Sequence, residues 1–109
     1  MNDIIPAQEL ASRWDRCKKL LQQFIPQAQG LLVFSRLNIY YFSGSFAGGV
    51  FWLPLSGDPV LFCRRGEKRA KIESPIKHIY PFKSYCDIET ILGDLGFSLY
   101  SRRPVAEDI

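Results

Sequence analysis

A hydrolytic metal site needs several His, Asp, Glu or Cys side chains gathered in one small volume, and this sequence offers a single histidine, His78, with no partner motif beside it. Its place next to a predicted strand marks it as a partly exposed structural residue. Cys17, Cys63 and Cys86 lie far apart without a CxxC pair. An odd, dispersed set suits neither a disulfide framework nor a four-ligand zinc site. Nucleophilic catalysis by any of the three needs a positioned base, and Cys17 and Cys63 sit in apolar patterns typical of core thiols. We read all three as reduced and mostly buried, in a chain without a catalytic centre of its own.

Two further segments invite a binding role. Gly44-Ser45-Phe46-Ala47-Gly48-Gly49 is rich enough in glycine for backbone N–H groups to cradle an anion. It lacks a Gly-Lys-Ser/Thr ending, however, and a strand rather than a helix follows, so neither a P-loop nor a dinucleotide fingerprint is present. The densest basic run, Arg64-Arg65-Gly66-Glu67-Lys68-Arg69-Ala70-Lys71, has Tyr80, Phe82 and Tyr85 downstream as stacking groups for a nucleic acid. Glu67 stands four residues before Lys71, and Glu73 adds a second acid, so the run reads as a solvated helix face and the aromatics as core.

Composition narrows the class. The 109 residues, 47% of them hydrophobic and 23% charged, are enough for one packed domain and far from a disordered profile. A formal net charge of +3 does not by itself imply nucleic acid. The start, Met1 to Gln8, has neither a basic region nor a long apolar run, so no secretory signal is read there, and the cytoplasm is the default expectation. No stretch approaches 18 continuous apolar residues, which leaves no spanning helix and no membrane partner.

The elements that must position any site are well punctuated. From Pro6 to Gln23, Leu10, Trp14, Cys17 and Leu21 recur at helical spacing, with Pro6 at the start and Pro26 as the stop. Gly30 opens Leu31-Leu32-Val33-Phe34, a short apolar run that predicts a strand inside the sheet. Asn38 to Phe42 then reads as an aromatic cluster, with Asn38 capping a short turn, Tyr41 and Phe42 anchoring it in the core and Gly44 reversing the chain. Val50 to Leu55 and Val60 to Cys63 flank Ser56-Gly57-Asp58-Pro59 and predict an antiparallel hairpin. A helix is expected after Gly66 up to Pro75, a strand from His78 to Phe82, a helix from Asp87 to Leu95 ended by Gly96, and a final strand from Phe97 to Tyr100. Arg102 to Ile109 loses all periodicity. The order predicts an α/β domain with a mixed sheet of about five strands and helices on its faces.

Two strings carry a likeness to a known family. Gly30-Leu31-Leu32-Val33-Phe34-Ser35-Arg36-Leu37-Asn38-Ile39-Tyr40-Tyr41-Phe42-Ser43-Gly44 and Gly57-Asp58-Pro59-Val60-Leu61-Phe62 resemble the N-terminal domain of the creatinase, prolidase and Xaa-Pro aminopeptidase family. The leading helix with an Arg near its start, the Asn-x-x-Tyr-x-Ser-Gly segment, the hairpin, an Arg-Ala-x-x-Glu-Ser segment spelled Arg69 to Ser74, and a closing helix before Gly96 extend the resemblance over Gln8 to Tyr100. It implies a three-layer α/β unit with a ribonuclease H-like motif, spanning residues 1–109 as one domain.

The resemblance also implies a pita-bread catalytic domain after residue 109, holding a divalent metal pair (Mn, Co or Zn) on two Asp, one His and two Glu. That domain hydrolyses the peptide bond next to proline, although creatinase itself uses the fold on a small non-peptide substrate without the metal pair. For this chain it implies a non-catalytic part: a share in a homodimer, and loops near the cleft for a peptide substrate, often that of the neighbouring subunit. Ser45 and Phe46, just after the Ser-Gly turn, are the candidates for substrate proximity. The competing expectations are a stand-alone dimerisation or small-ligand-binding module and, behind it, a small nucleic-acid binder.

Overall fold

A computed structural model of the chain describes residues 4–97 and 106–107. Helix α1 (Ala7–Phe24) starts at Pro6, whose missing N–H costs nothing in a first turn, and buries Leu10 and Leu21. It ends where Ile25 donates its N–H to Leu21 O, with Pro26 next in the chain.

Five strands form one sheet: β1 (Gly30–Val33), β2 (Gly49–Pro54), β3 (Val60–Cys63), β4 (His78–Pro81) and β5 (Ala106–Glu107), in the order β4-β3-β2-β1-β5. β2 is antiparallel to β1 and to β3, while β3 pairs parallel with β4 and β1 with β5. The sheet is therefore mixed, as the element order predicts, and the hairpin lies at its centre. β1 is an interior strand, flanked by β2 and β5.

Alternation along the strands makes two cores. Val33, Phe51, Leu53, Leu61 and Ile79 face α1, helix α2 (Arg36–Ser43) and helix α3 (Glu67–Glu73), meeting Ile39, Phe42 and Ala70. Leu32, Trp52, Val60 and Phe62 face helix α4 (Tyr85–Asp94) through Ile88 and Leu92. Helices on both faces of a sheet complete three layers, which explains why β2 and β3 read as continuous apolar runs rather than alternating ones.

The structure departs from the sequence reading at several places. Residues 36–43 are a two-turn helix, α2, not a capped turn: Ser35 holds the N-cap position, Asn38 lies inside the helix, and Tyr41 points outward at 42% exposure while Phe42 is buried. The expected strand from Phe97 to Tyr100 does not include Phe97, and residues 98–100 lie outside the described residues. Among the described residues the fifth strand is Ala106–Glu107, within the stretch that carries no periodicity, because a two-residue edge strand is too short to show one.

Helix α4 begins at Tyr85, two residues before the expected start, because the Asp87 carboxylate reaches back to accept the backbone N–H groups of Lys83 (2.8 Å) and Ser84 (3.2 Å). These bonds hold the Asp87 carboxyl below its ordinary value of 3.8. A depressed folded value means that the contribution is fully present above pH 3.8 and is lost as pH falls through the depressed value. Asp87→Asn is expected to flatten this acid limb in stability curves measured by circular dichroism between neutral pH and pH 2; an unchanged curve contradicts the assignment.

Candidate functional site

The segment from Gly44 to Gly48 joins α2 to β2, and its shape is set by the last turn of α2. A helix end leaves carbonyl groups without intrahelical partners. Here Tyr40 O accepts from Gly44 N (2.8 Å), Tyr41 O from Arg13 Nη1 (2.7 Å) and Phe42 O from Trp14 Nε1 (2.8 Å). Arg13 also lies over the Tyr41 ring, 4.4 Å from its centroid. Gly44, at φ 78°, adopts the left-handed conformation that ends the helix. Helix α1 thus clamps the turn from which the loop departs.

Two serine hydroxyls shape the loop itself. Ser43 Oγ donates to Ile39 O (2.6 Å) and accepts from Ser45 N (3.1 Å). Ser45 Oγ, fully buried, accepts from Ala47 N (3.1 Å) and donates to Glu73 Oε1 (3.3 Å) at the end of α3. Glu73 in turn pairs with Arg69 at 3.3 Å. Phe46, 51% exposed, stacks on Tyr40 with centroids 4.1 Å apart and planes 12° from parallel. The Arg36 guanidinium donates to Phe46 O from 3.3 Å. Around these groups lies a cavity of about 270 Å³ lined by Ser45, Phe46, Arg36, Arg65, Arg69 and Glu73.

Of the two sequence candidates, Ser45 is therefore an internal brace and Phe46 an outward ring, and both line one cavity. The residues that join them, Arg36, Arg65, Arg69 and Glu73, were not read as site residues from the sequence. Arg65 and Arg69 belong to the basic run read as a solvated face. That reading holds for the Glu67–Lys71 pair, 3.3 Å apart, but Glu73 turns inward to Ser45. The Arg-Ala-x-x-Glu-Ser segment was the one signal that placed Arg69 and Glu73 in a common motif.

Residues 13–104 match the family model described as the Creatinase/Prolidase N-terminal domain. The chain belongs to that family. Its fold is similar to a proline dipeptidase from Streptococcus agalactiae 2603V, with a TM-score of 0.71 at 17% identity over 91% of this chain and 76% of that one. It is also similar to the aminopeptidase P, Xaa-Pro aminopeptidase from Streptococcus thermophilus, with a TM-score of 0.67 at 14% identity over 92% of both chains. At these identities the likeness is one of fold. No curated protein sequence matches the chain.

Within this creatinase/prolidase N-terminal domain, no three His, Cys, Asp or Glu side chains come together as a metal donor set among the described residues. His78 is the partly exposed strand residue expected, with Nδ1 3.3 Å from Tyr80 Oη and Nε2 3.8 Å from Asp58. Cys63 is buried, and desolvation pushes its thiol up to about 11; burial also raises Cys17. Cys86 departs from the expectation of burial, because it sits on the exposed face of the first turn of α4. Among the described residues no helix is long and apolar enough to cross a membrane.

Proposed function

We propose that this domain is the non-catalytic N-terminal part of a Xaa-Pro peptidase of the prolidase or aminopeptidase P kind, where it shapes the substrate cleft and contributes to a homodimer. Family membership over residues 13–104 supports the reading. The observation that carries it is the presentation of Phe46: a half-exposed ring on a loop whose backbone is held by Ser45, Arg36 and, through Tyr40, by α2. A large apolar side chain held rigidly at the rim of a cavity is suited to form a wall against a peptide substrate. Ser45 stands beside it as the second substrate-proximal residue and fixes its approach.

Hydrolysis of the peptide bond next to proline then belongs to a following catalytic domain, which also carries the divalent metals and the general base. The partners of this chain are that domain, a second copy of the protein and the peptide substrate, in the cytoplasm. In the whole peptidase, Phe46→Ala is expected to raise KM or lower kcat/KM by roughly 5- to 30-fold, the loss of about 1–2 kcal/mol of apolar contact. Steady-state kinetics on an Xaa-Pro peptide checks this. Unchanged KM and kcat in a folded variant would remove Phe46 from the cleft.

A further inference from the structure

The end of the sheet beside the Phe46 loop carries a second feature that adjoins the Phe46 cavity. β1, β3 and β4 run in one direction and finish at this end, at Val33, Cys63 and Pro81, while the antiparallel β2 begins there at Gly49. The residues that follow the three strand ends are Phe34, Arg64 and Phe82. In open α/β sheets the crevice outside the carboxyl ends of the strands is the usual place for a ligand. Two overlapping hollows of about 320 and 300 Å³ occupy it. They share Phe34, Gly48, Gly49 and Arg65; Arg36 lines one, and Arg64, Phe82 and Tyr85 line the other.

The charge of this groove is one-sided. No carboxylate lines either hollow. Glu73, which lines the adjoining cavity with Arg36 and Arg65, is bound to Arg69 and Ser45, Glu67 to Lys71, and Asp87 to the start of α4. Among the described residues Arg65 and Arg36 have no ion-pair partner, Arg36 donates to the Phe46 carbonyl, and Arg64 lies over the Phe82 ring at 5.0 Å. Three arginines with no ion-pair partner among the described residues, on a floor kept open by glycine, match the planar, multidentate recognition of oxyanions that the guanidinium favours. Gly48 is the open floor: a Cβ added there meets nothing within 4 Å.

The geometry points to a binding site for a compact, multiply charged oxyanion, a phosphate ester or a polycarboxylate, held by Arg36, Arg64 and Arg65 with its apolar part against Phe34 and Tyr85. This site adjoins the Phe46 cavity and shares Arg36, Gly48 and Arg65 with it, but its ligand is an oxyanion rather than a peptide side chain, so anion binding by the chain and peptide hydrolysis by the whole protein are read separately. The chain itself is titrated at low ionic strength, where surface charge is least screened, with inorganic pyrophosphate and, separately, with citrate, using calorimetry. One saturable site per chain is expected for at least one probe. Tighter pyrophosphate binding assigns a phosphate ester, and tighter citrate binding a polycarboxylate.

Arg65→Gln is expected to weaken binding about tenfold and Gly48→Asp to abolish it, while Gly48→Asn, equal in size but neutral, leaves it near the wild-type value. Lys18→Gln serves as a control for net charge alone, because Lys18 lies at the opposite end, against Gly57 O. Absence of saturation with both probes overturns the proposal. So do equal effects of Arg65→Gln and Lys18→Gln, or wild-type binding by a folded Gly48→Asp variant.

Discussion

Alanine in place of Gly49 is expected to abolish the folded domain, whereas alanine at Gly48, one residue earlier, is expected to change stability by no more than about 0.5 kcal/mol. Gly49 is the first residue of β2 and pairs with Cys63 of β3. A Cβ at this position would collide with the backbone carbonyl oxygen of Phe62. That atom is not the far end of a flexible side chain; it belongs to an interior strand packed on both faces, with Phe62 and Cys63 buried. Relief requires the two central strands to part, which breaks their ladder and opens both cores. The expected cost exceeds about 3 kcal/mol, a large share of the roughly 5–15 kcal/mol that holds a domain together. Urea titration of the two variants side by side tests this. Equal midpoints would mean that β2 and β3 do not approach as described.

Phe51→Ala is expected to cost about 3–5 kcal/mol. Phe51 is fully buried at the centre of β2 and stacks on Phe42 of α2, with ring centroids 5.4 Å apart and planes 3° from parallel. Its removal takes apolar area from the core and leaves a cavity beneath the one helix that launches the loop carrying Phe46. The wall on one side is sheet backbone, so the hole cannot collapse cheaply. The same substitution at Ile72, 76% exposed on α3, is expected to fall within about 0.5 kcal/mol. A Phe51→Ala loss as small as that of Ile72→Ala would contradict the position of Phe51 at the junction of α2 and the sheet.

Several proline and glycine signals of the sequence became structure. Pro6 and Pro26 bracket α1, Ser56-Gly57-Asp58-Pro59 joins β2 to β3, and Gly66 and Pro75 flank α3. Each is a backbone constraint that acts within a few residues. Helix α2 escaped because its stability is not local: eight residues are too few to hold a helix in isolation. Its last carbonyls are satisfied by Arg13 and Trp14, 28 residues earlier in the chain. Tyr41 was read as an anchor for the same reason, since only the packed α1 shows which of two adjacent aromatic residues faces inward.

The site divides similarly. Ser45 and Phe46 were named because they follow the Ser-Gly turn, and the structure sets both around one cavity. Arg36, Arg65 and Glu73 reach the same cavity from three separate elements, α2, the β3–α3 connection and the end of α3, and only the sheet order brings them together. Family resemblance supplied what periodicity lacked, because the ordered set of short motifs encodes topology that no one of them contains.

The most direct test of the proposed role is the intact mass of the natural protein from its source cells, measured together with Xaa-Pro peptide hydrolysis by the same purified species. A mass exceeding the 12.5 kDa of this chain by a further domain, with hydrolysis in that species, is the predicted result. A natural protein of 12.5 kDa that hydrolyses no Xaa-Pro peptide would contradict it and leave the domain as a binding module in its own right.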